Sequence, residues 1–408
     1  MAVATPSNLN ANLLRTYWDT NLFEESLFRD VFSRLRTRFD RTSNIDIPLD
    51  TLVMEIQTEL QNGYRTGRLG FINRLQGTPR EGANQQQLGF EETLREKAMT
   101  IYYNEFSHAV SLYNYGIEYN DQAAYGINMG LATRLLGDYM EELFGLYYRQ
   151  ALLQRFSRNL TQAPHSLAQH WNNRFYIKNV SDSAQPAFST TLQTYTNNIA
   201  TALIAAGTGI NATLDTRYLT ALHHRITMDR IEGLSIGGKS NQFILTVPSS
   251  QKFHVLSLDR DDSLADYWTS VNRMSNEDKA NFPDLLGRWL NIWLVEDERY
   301  PTLTVSGSAA PFTITPNYVQ PGNNDGRAFA AGDRDVGFLM GRAPLVDWYQ
   351  TKIHHKFDDY NYQKWEGKGA FGERGVQLRI YDDPTPGNAT WEQRYCIVCV
   401  WARNTISN

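Results

Sequence analysis

Cysteine is scarce in this sequence. Only Cys396 and Cys399 occur among 408 residues, which is too few for a disulfide framework. Their CxxC spacing is typical of redox and zinc sites, but residues three apart on a strand point to opposite faces, so these two thiols cannot hold one metal ion. The sequence therefore indicates a protein that is made and used in a reducing cytoplasm.

Long apolar runs and an excess of positive charge are also missing. No apolar run approaches the roughly 20 residues that a membrane-spanning helix needs. The first residues lack the basic and then apolar segments of a secretory signal peptide. The net charge of −5 argues against a protein whose whole surface wraps nucleic acid. We therefore expect no membrane partner and no extended basic surface.

Residues that carry catalysis or bind metals do not form a recognisable set. No Ser/His/Asp combination and no nucleophile elbow stands out. The pairs His223–His224 and His354–His355 lack the i, i+4 spacing that places two imidazoles on one helix face. His108 falls in a strand-like segment without a second ligand and indicates a structural histidine. A metal clip between His354–His355 and the nearby Asp358–Asp359 is the one alternative. We expect no catalytic residue, no cofactor and no metal.

One motif matches the phosphate-loop pattern GxxxxGK[ST]. It runs from Gly233 to Gly238, Lys239 and Ser240. A phosphate loop needs a strand before it and a helix after it, whose N-terminus receives the phosphates. Here a helix-like segment precedes the motif, and the strand-like NQFILTVP follows it. We interpret the motif as a glycine-rich turn, with a nucleotide site as the alternative.

The strongest local signal is a long helix over residues 120–156. The segment contains no proline and opens on Asn120–Asp121, residues that cap helix N-termini. Apolar side chains recur on one stripe, and Gly126, Gly130 and Gly137 line up on the far side. A continuous helix here is about 55 Å long. The glycine face indicates that a second backbone or a bulky ring lies close to it.

A polar, glycine-rich segment precedes this helix. Residues 62–90 hold six glycines and four arginines, too little apolar surface to build a core of their own. We predict a long two-stranded arm that lies on a neighbouring subunit. Arginines bind carboxylates as forked donors, so the predicted inter-subunit contact residues are Arg65, Arg68, Phe71, Arg74 and Arg80.

The remaining segments differ in the spacing of their apolar residues. Residues 22–39 have apolar positions at four-residue steps and predict an amphipathic helix. Residues 199–340 read as a mixed α/β module, with a helix over 213–226, strand-like runs on both sides of Pro248, and a loop-like end over 301–333. The final run, RYCIVCVWAR, is apolar on both faces and predicts a buried central strand.

This order of parts resembles the tailed-bacteriophage major capsid protein of the Hong Kong 97 type. Individual segments add to the resemblance. Gly82 to Val110 is similar to the outgoing edge of that family's extended loop. Leu245 to Trp268 is similar to the strand of its apical domain and the start of the helix that follows. The segment GAFGERGVQLRIYDD, residues 369–383, is similar to its late strand. The resemblance covers nearly the whole chain.

The resemblance implies an α+β fold with five parts. They are an N-terminal arm (1–61), an extended β-loop (62–97), a peripheral domain with a long spine helix (98–198), an apical α/β domain (199–340) and a returning segment that completes the peripheral domain (341–408).

The resemblance also implies a non-enzymatic, structural role. Hexamers and pentamers close into an icosahedral head shell around double-stranded DNA, which the inner face contacts without base specificity. Scaffolding and portal proteins act during assembly in the host cytoplasm, and a decoration protein is a further partner in the virion. An encapsulin-like bacterial compartment shares the fold and is the alternative.

Lysine is absent from the predicted loop. Some family members join subunits through a Lys–Asn isopeptide bond from this loop, but residues 62–96 contain no lysine and Lys97 lies at the loop's base. We therefore expect no such crosslink. The polar arm begins at residue 1 without a helical preamble, so we expect a separate scaffolding protein.

Overall fold

The computed structural model describes two large sheets, a separate two-stranded hairpin and several helices. The described residues are 32, 36–38, 50–57, 66–72, 96–102, 104–113, 129–154, 175–177, 201, 204, 214–228, 231–256, 267–270, 273–276, 279, 282, 284–307, 313–322, 333–360, 365–379 and 395–402. In chain order the strands are β1 (Arg36–Arg38), β2 (Val53–Gln57), β3 (Thr66–Ile72), β4 (Glu96–Tyr102), β5 (Asn104–Tyr113), β6 (Phe175–Ile177), β7 (Leu234–Ile236), β8 (Lys239–Pro248), β9 (Trp268–Ser270), β10 (Leu285–Trp289), β11 (Ile292–Asp297), β12 (Thr302–Ser306), β13 (Thr313–Asn317), β14 (Arg334–Met340), β15 (Leu345–Tyr360), β16 (Trp365–Leu378) and β17 (Cys396–Ala402). The helices are α1 (Met129–Gln154), α2 (Thr216–Met228) and α3 (Lys252–Leu256).

Helix α1 is the longest described helix. Its 26 residues extend about 39 Å at 1.5 Å per residue. The predicted helix over 120–156 is thus present from residue 129 to 154, and its two ends lie outside the described residues. One face is buried at helical spacing by Leu136, Met140, Phe144, Tyr147 and Ala151. Of the predicted glycine face, Gly130 and the buried Gly137 lie in α1, and Gly126 is outside the described residues.

The first large sheet has the strand order β1-β2-β15-β16-β5. The pairs β1/β2 and β2/β15 are parallel, whereas β15/β16 and β16/β5 are antiparallel. The helix predicted over residues 22–39 is therefore wrong at its end, because Arg36–Arg38 is a strand. Arg36–Arg38 forms its backbone hydrogen bonds with the buried strand β2. The spacing of apolar residues within 22–39 gives no information about this distant partner. Residues 22–31 and 33–35 lie outside the described residues.

The second large sheet has ten strands, with the path β13-β12-β14-β8-β11-β10-β9. Strand β17 pairs with β14 along seven residues and with β6 on its other side, so the predicted buried central strand is confirmed. The expected returning segment, 341–408, is divided by this arrangement. Strands β15 and β16 join the first sheet, and β17 joins the second.

Two further expectations about residues 199–340 are wrong. The expected loop over 301–333 contains the antiparallel pair β12/β13. The strand-like run after Pro248 is a short 3₁₀ turn followed by α3. The helix predicted over 213–226 is confirmed as α2. Short β-rich or apolar runs are ambiguous from periodicity alone, which explains both errors.

The ten-stranded sheet separates two hydrophobic cores. Alternate residues along β17 show this: Val398 and Val400 belong to the core that includes α1, while Ile397 and Trp401 belong to the core that includes α2. Cys396 packs in the first core and Cys399 in the second. The prediction that the two thiols point to opposite faces is confirmed.

The phosphate-loop motif is a β-hairpin turn. Gly237 and Gly238 have φ angles of 56° and 74°, and Ile236 pairs with Lys239 across the turn. Two consecutive left-handed residues between antiparallel strands are typical of a type I′ hairpin, which favours glycine. Lys239 opens strand β8 and not a helix, so no helix N-terminus is available to bind phosphate. The interpretation as a glycine-rich turn is confirmed.

Candidate assembly elements and the joint between the sheets

Strands β3 and β4 form a hairpin that is a sheet of its own. Seven residues pair on each strand, from Thr66↔Tyr102 to Ile72↔Glu96. Strand β4 is followed after one residue by β5, so the hairpin continues from the first large sheet. Of the predicted contact residues, Arg68 pairs with Thr100 through the backbone. An isolated two-stranded hairpin is at best marginally stable in water, so this element needs a surface to lie on.

Only part of the predicted contact set lies in this hairpin as described. Arg68 and Phe71 are residues of β3. Arg65, Arg74 and Arg80 lie outside the described residues. The inter-subunit role of all five residues remains a prediction.

A buried ionic cluster fastens α1 to the first sheet. The Tyr148 hydroxyl donates to Asp347 Oδ2 at 2.7 Å, and Arg374 Nη2 donates to the Tyr148 oxygen at 2.6 Å. Arg374 Nε donates to Asp347 Oδ1 at 2.6 Å, and a second nitrogen of the same guanidinium pairs with Oδ2. Each partner comes from a different element: Tyr148 from α1, Asp347 from β15 and Arg374 from β16. The cluster therefore ties three elements at one point.

The surroundings of Arg374 keep it charged. Its guanidinium carbon lies 3.7 Å from the centroid of the Phe144 ring, a cation–π contact with α1. Burial by itself would lower the pKa of Arg374, but the Asp347 carboxylate, Tyr148 and Glu55 raise it above its ordinary value. A buried charge of this kind is tolerated because it is paired and hydrogen-bonded.

A second buried ion pair fastens α1 to the ten-stranded sheet. Arg149 donates through Nε to Asp297 Oδ2 at 2.9 Å and through Nη2 to Oδ1 at 2.7 Å. Asp297 is the last residue of β11, and it also accepts the backbone N–H of Arg299 at 2.9 Å. The side chains of Arg149 and Asp297 are 4% and 2% exposed. This fork-to-fork geometry is the strong form of an Arg–carboxylate pair.

A third contact joins α1 to the edge of the same sheet. Glu142 accepts the Gly322 backbone N–H at Oε2, at 2.6 Å, and pairs with the Arg299 guanidinium at Oε1. Burial would raise the pKa of Glu142, but the hydrogen bonds from Arg299 and Gly322 hold it below its ordinary value. Glu142 therefore stays ionised at neutral pH.

Within the part of the chain that the structure describes, the candidate chemical residues do not form a reactive site. His108 stacks on Tyr139 of α1, with 3.8 Å between ring centroids, which fits the expected structural role. Burial raises the pKa of the Cys399 thiol to about 12, so it is not a nucleophile at neutral pH. His223 is half-buried and His224 exposed on α2, and the His354–Asp359 side chains lie outside the described residues. Among the residues that the structure describes, no three His, Cys, Asp or Glu side chains are placed to hold a metal ion.

The buried contacts of Tyr148 with Asp347 and of Arg149 with Asp297, which join α1 to the two sheets, were not predicted from the sequence. Their residues are spread over the chain: Tyr148 and Asp347 are 199 positions apart, and Arg149 and Asp297 are 148 apart. The one local signal is the polar pair Arg149–Gln150 inside the apolar end of α1.

No helix in the described part of the chain is long and apolar enough to cross a membrane.

Comparison with known proteins supports the architecture. No protein-family model and no curated protein matches the sequence. Among solved structures, the chain is similar to the capsid of Ralstonia phage GP4, with 15% identity, a TM-score of 0.58, and 92% of this chain and 91% of that chain covered. It is also similar to the cyanophage Pam1 capsid, with 13% identity, a TM-score of 0.55, and coverage of 92% and 93%.

A third similar structure is the acid-stable capsid of Helicobacter pylori bacteriophage KHP30, with 10% identity, a TM-score of 0.51, and coverage of 91% and 90%. The arrangement of a long helix between two sheets, with a separate hairpin, therefore belongs to the class of phage capsid folds. The chain has the α+β fold of the Hong Kong 97 type.

Proposed function

We propose that this protein is the major capsid protein of a tailed bacteriophage. It self-assembles into hexamers and pentamers of the icosahedral head shell. The observation that carries this proposal is the fold similarity over 92% of the chain to the Ralstonia phage GP4 capsid. The chain covers nearly the full length of that neighbour, so the likeness extends to the whole subunit and not to one shared module.

The described geometry supports a role as a rigid building block. Helix α1 is bound to the first sheet through Tyr148 and to the ten-stranded sheet through Arg149. We assign the first sheet and α1 to the peripheral domain and the ten-stranded sheet to the apical domain. Strand β17 then belongs to the apical domain, and the peripheral domain includes only the β15–β16 part of residues 341–408.

The β3–β4 hairpin supports contact between subunits. It forms a sheet of its own, and a hairpin of two strands needs a partner surface to be stable. A neighbouring subunit in the shell supplies that surface, with Arg68 and Phe71 on β3 among the contact residues. Interfaces of obligate assemblies bury more than about 2,000 Å², and overlapping arms of this kind provide such areas.

The partners follow from a shell role. The inner face of the shell contacts double-stranded DNA without base specificity. Such contact does not require the whole chain to be basic, which is consistent with its net charge of −5. Scaffolding and portal proteins act during assembly in the host cytoplasm, and a decoration protein binds the finished virion. The protein itself acts as structure and not as an enzyme.

Electron microscopy tests the proposal directly. The purified chain, expressed alone and with a scaffolding protein, is imaged in negative stain and sedimented through a gradient. Closed shells or regular five- and six-fold capsomers are expected. A discrete small oligomer under both conditions would overturn the proposal. Genes for a portal and a terminase next to the coding sequence would distinguish a phage shell from a bacterial compartment of the same fold.

A further inference from the structure

One carboxylate connects α1 to two separate parts of the ten-stranded sheet. Glu142 accepts the backbone N–H of Gly322, which lies in the turn after β13, and pairs with Arg299, which lies in the turn after β11. The Glu142 side chain is 20% exposed, so the contact is shielded but still within reach of protons from solvent.

The part that Glu142 holds is the edge of the sheet. Strand β13 is the first strand in the order of the sheet, and within the described residues it pairs with β12. The turn after β13 approaches α1 closely: Gly322 has φ +71°, and a Cβ built on it would lie 3.8 Å from the Tyr139 ring. The edge hairpin β12–β13 is thus anchored to α1 by Glu142 and the neighbouring ring of Tyr139.

We propose that Glu142 is an acid-sensitive latch that releases the edge hairpin β12–β13 from α1 when its carboxylate takes up a proton. Protonation removes the negative charge of the carboxylate to which Arg299 and the Gly322 N–H both donate. A neutral carboxylic acid accepts weaker hydrogen bonds than a carboxylate, because charge-assisted bonds are roughly twice as strong as neutral ones. The turn after β13 then loses its polar anchor to the helix.

The direction of the pH effect follows from the contacts. The hydrogen bonds of Glu142 lower its pKa in the folded protein below the ordinary value of 4.5. The unfolded or released state therefore binds the proton more tightly than the latched state. The stabilisation is complete above pH 4.5 and is lost as the pH falls through the folded-state pKa.

Other ionisable groups surround the latch and must be separated from it. Asp138 and Glu141 lie on α1, Asp297 and Glu298 directly precede Arg299, and Tyr318 lies between the end of β13 and Gly322. His108 of β5 stacks on Tyr139. A pH response of the edge hairpin belongs to Glu142 only if it disappears when Glu142 cannot titrate and persists when His108 cannot.

The latch is a property of the subunit, whereas its consequence for the particle rests on the proposed function. In a shell, release of the edge hairpin loosens the connection between the two sheets of each subunit. Acid would then weaken the shell through this loosened connection.

Hydrogen exchange followed by mass spectrometry tests the latch in the full chain, whether or not it assembles. Protection factors for residues 313–322, corrected for the intrinsic exchange rate, are compared at pH 7 and pH 4. In the wild type we expect protection to fall by up to about fourfold at pH 4, the most that linkage allows for a carboxyl whose ordinary pKa is 4.5. In Glu142→Gln we expect low protection already at pH 7 and no further change at pH 4.

Two matched variants complete the test. His108→Gln should keep the wild-type pH response. Glu296→Gln, which removes the carboxylate of the exposed Lys252–Glu296 pair, should also keep it. Unchanged protection of β8 and β11 in Glu142→Gln shows that the variant is folded. Equal wild-type protection at the two pH values would overturn the latch, as would a pH response that survives in Glu142→Gln. Failure to form shells would leave these results unaffected and would count against the proposed function alone.

Discussion

Tyr148 and Arg149 are consecutive residues of α1, yet their side chains bind carboxylates in different sheets. Tyr148 binds Asp347 of β15, and Arg149 binds Asp297 of β11. Adjacent positions on a helix point about 100° apart, so one turn of helix can face two neighbours at once. The two sheets are therefore connected through a single rigid element.

The Arg149–Asp297 pair should be costly to break on one side only. Arg149→Met leaves a buried, uncompensated Asp297 carboxylate, so we expect a loss of about 3–5 kcal/mol in the free energy of unfolding. The double variant Arg149→Met/Asp297→Asn should recover most of the loss, because no buried charge remains and Asn still accepts the Arg299 N–H. Chemical denaturation of the purified chain measures both. Lys252→Met, at an exposed ion pair, serves as the control and should change the free energy by less than about 1 kcal/mol.

Gly337 in the middle of β14 should not tolerate a side chain. A Cβ there would lie 2.6 Å from the Trp401 ring and would overlap the Thr246 carbonyl oxygen. Backbone atoms of a central strand cannot move aside cheaply, so Gly337→Ala should cost about 3 kcal/mol or prevent soluble expression. Gly369→Ala is the matched control, because its Cβ would meet Ala109 at an ordinary 3.5 Å. Equal melting temperatures for the two variants would contradict the packing around β14.

The Gly237–Gly238 turn should act in folding and not in nucleotide binding. Gly238→Ala places an L side chain at φ +74° and should cost about 1 kcal/mol, measured by thermal unfolding. Lys239→Ala should leave the melting temperature nearly unchanged. Titration calorimetry with Mg-ATP should show no binding to the wild type. Micromolar binding that Lys239→Ala abolishes would restore the phosphate-loop interpretation.

The arginines of the extended loop should act in assembly and not in folding. The triple variant with alanine at Arg68, Arg74 and Arg80 should give a folded subunit that assembles poorly, because its forked donors to a neighbour's carboxylates are lost. Sedimentation and electron microscopy measure the fraction in shells. The control replaces three exposed arginines elsewhere, Arg134, Arg217 and Arg273, with alanine. Normal shells from the loop variant would refute the predicted contact.

Covalent joining of subunits from this loop should not occur. Residues 62–96 contain no lysine, so the loop has no amine that could form an isopeptide bond. Assembled particles boiled in detergent should run as a single band at the subunit mass on a denaturing gel. A ladder of multimers would show that Lys97 or another lysine forms an isopeptide bond between subunits.

The sequence by itself determined the elements whose signal is local. The long helix and the helix over 213–226 depend on side-chain periodicity, and the turn at 237–238 depends on two left-handed backbone positions that glycine favours. Both signals are carried by residues close together in the sequence. The last strand, with Cys396 and Cys399 on opposite faces, follows from the two-residue period of a strand. The chain order of these parts was enough to indicate the capsid fold.

Only the tertiary structure decided how these elements pair. Arg36–Arg38 is a strand because β2 lies beside it, and the 302–317 strands exist because they extend the edge of a sheet that begins elsewhere in the chain. The division of β15, β16 and β17 between two sheets depends in the same way on partners far apart in sequence. The joint of Tyr148 and Arg149 has no local signature, because a buried charge is stable only once its distant carboxylate has been brought to it.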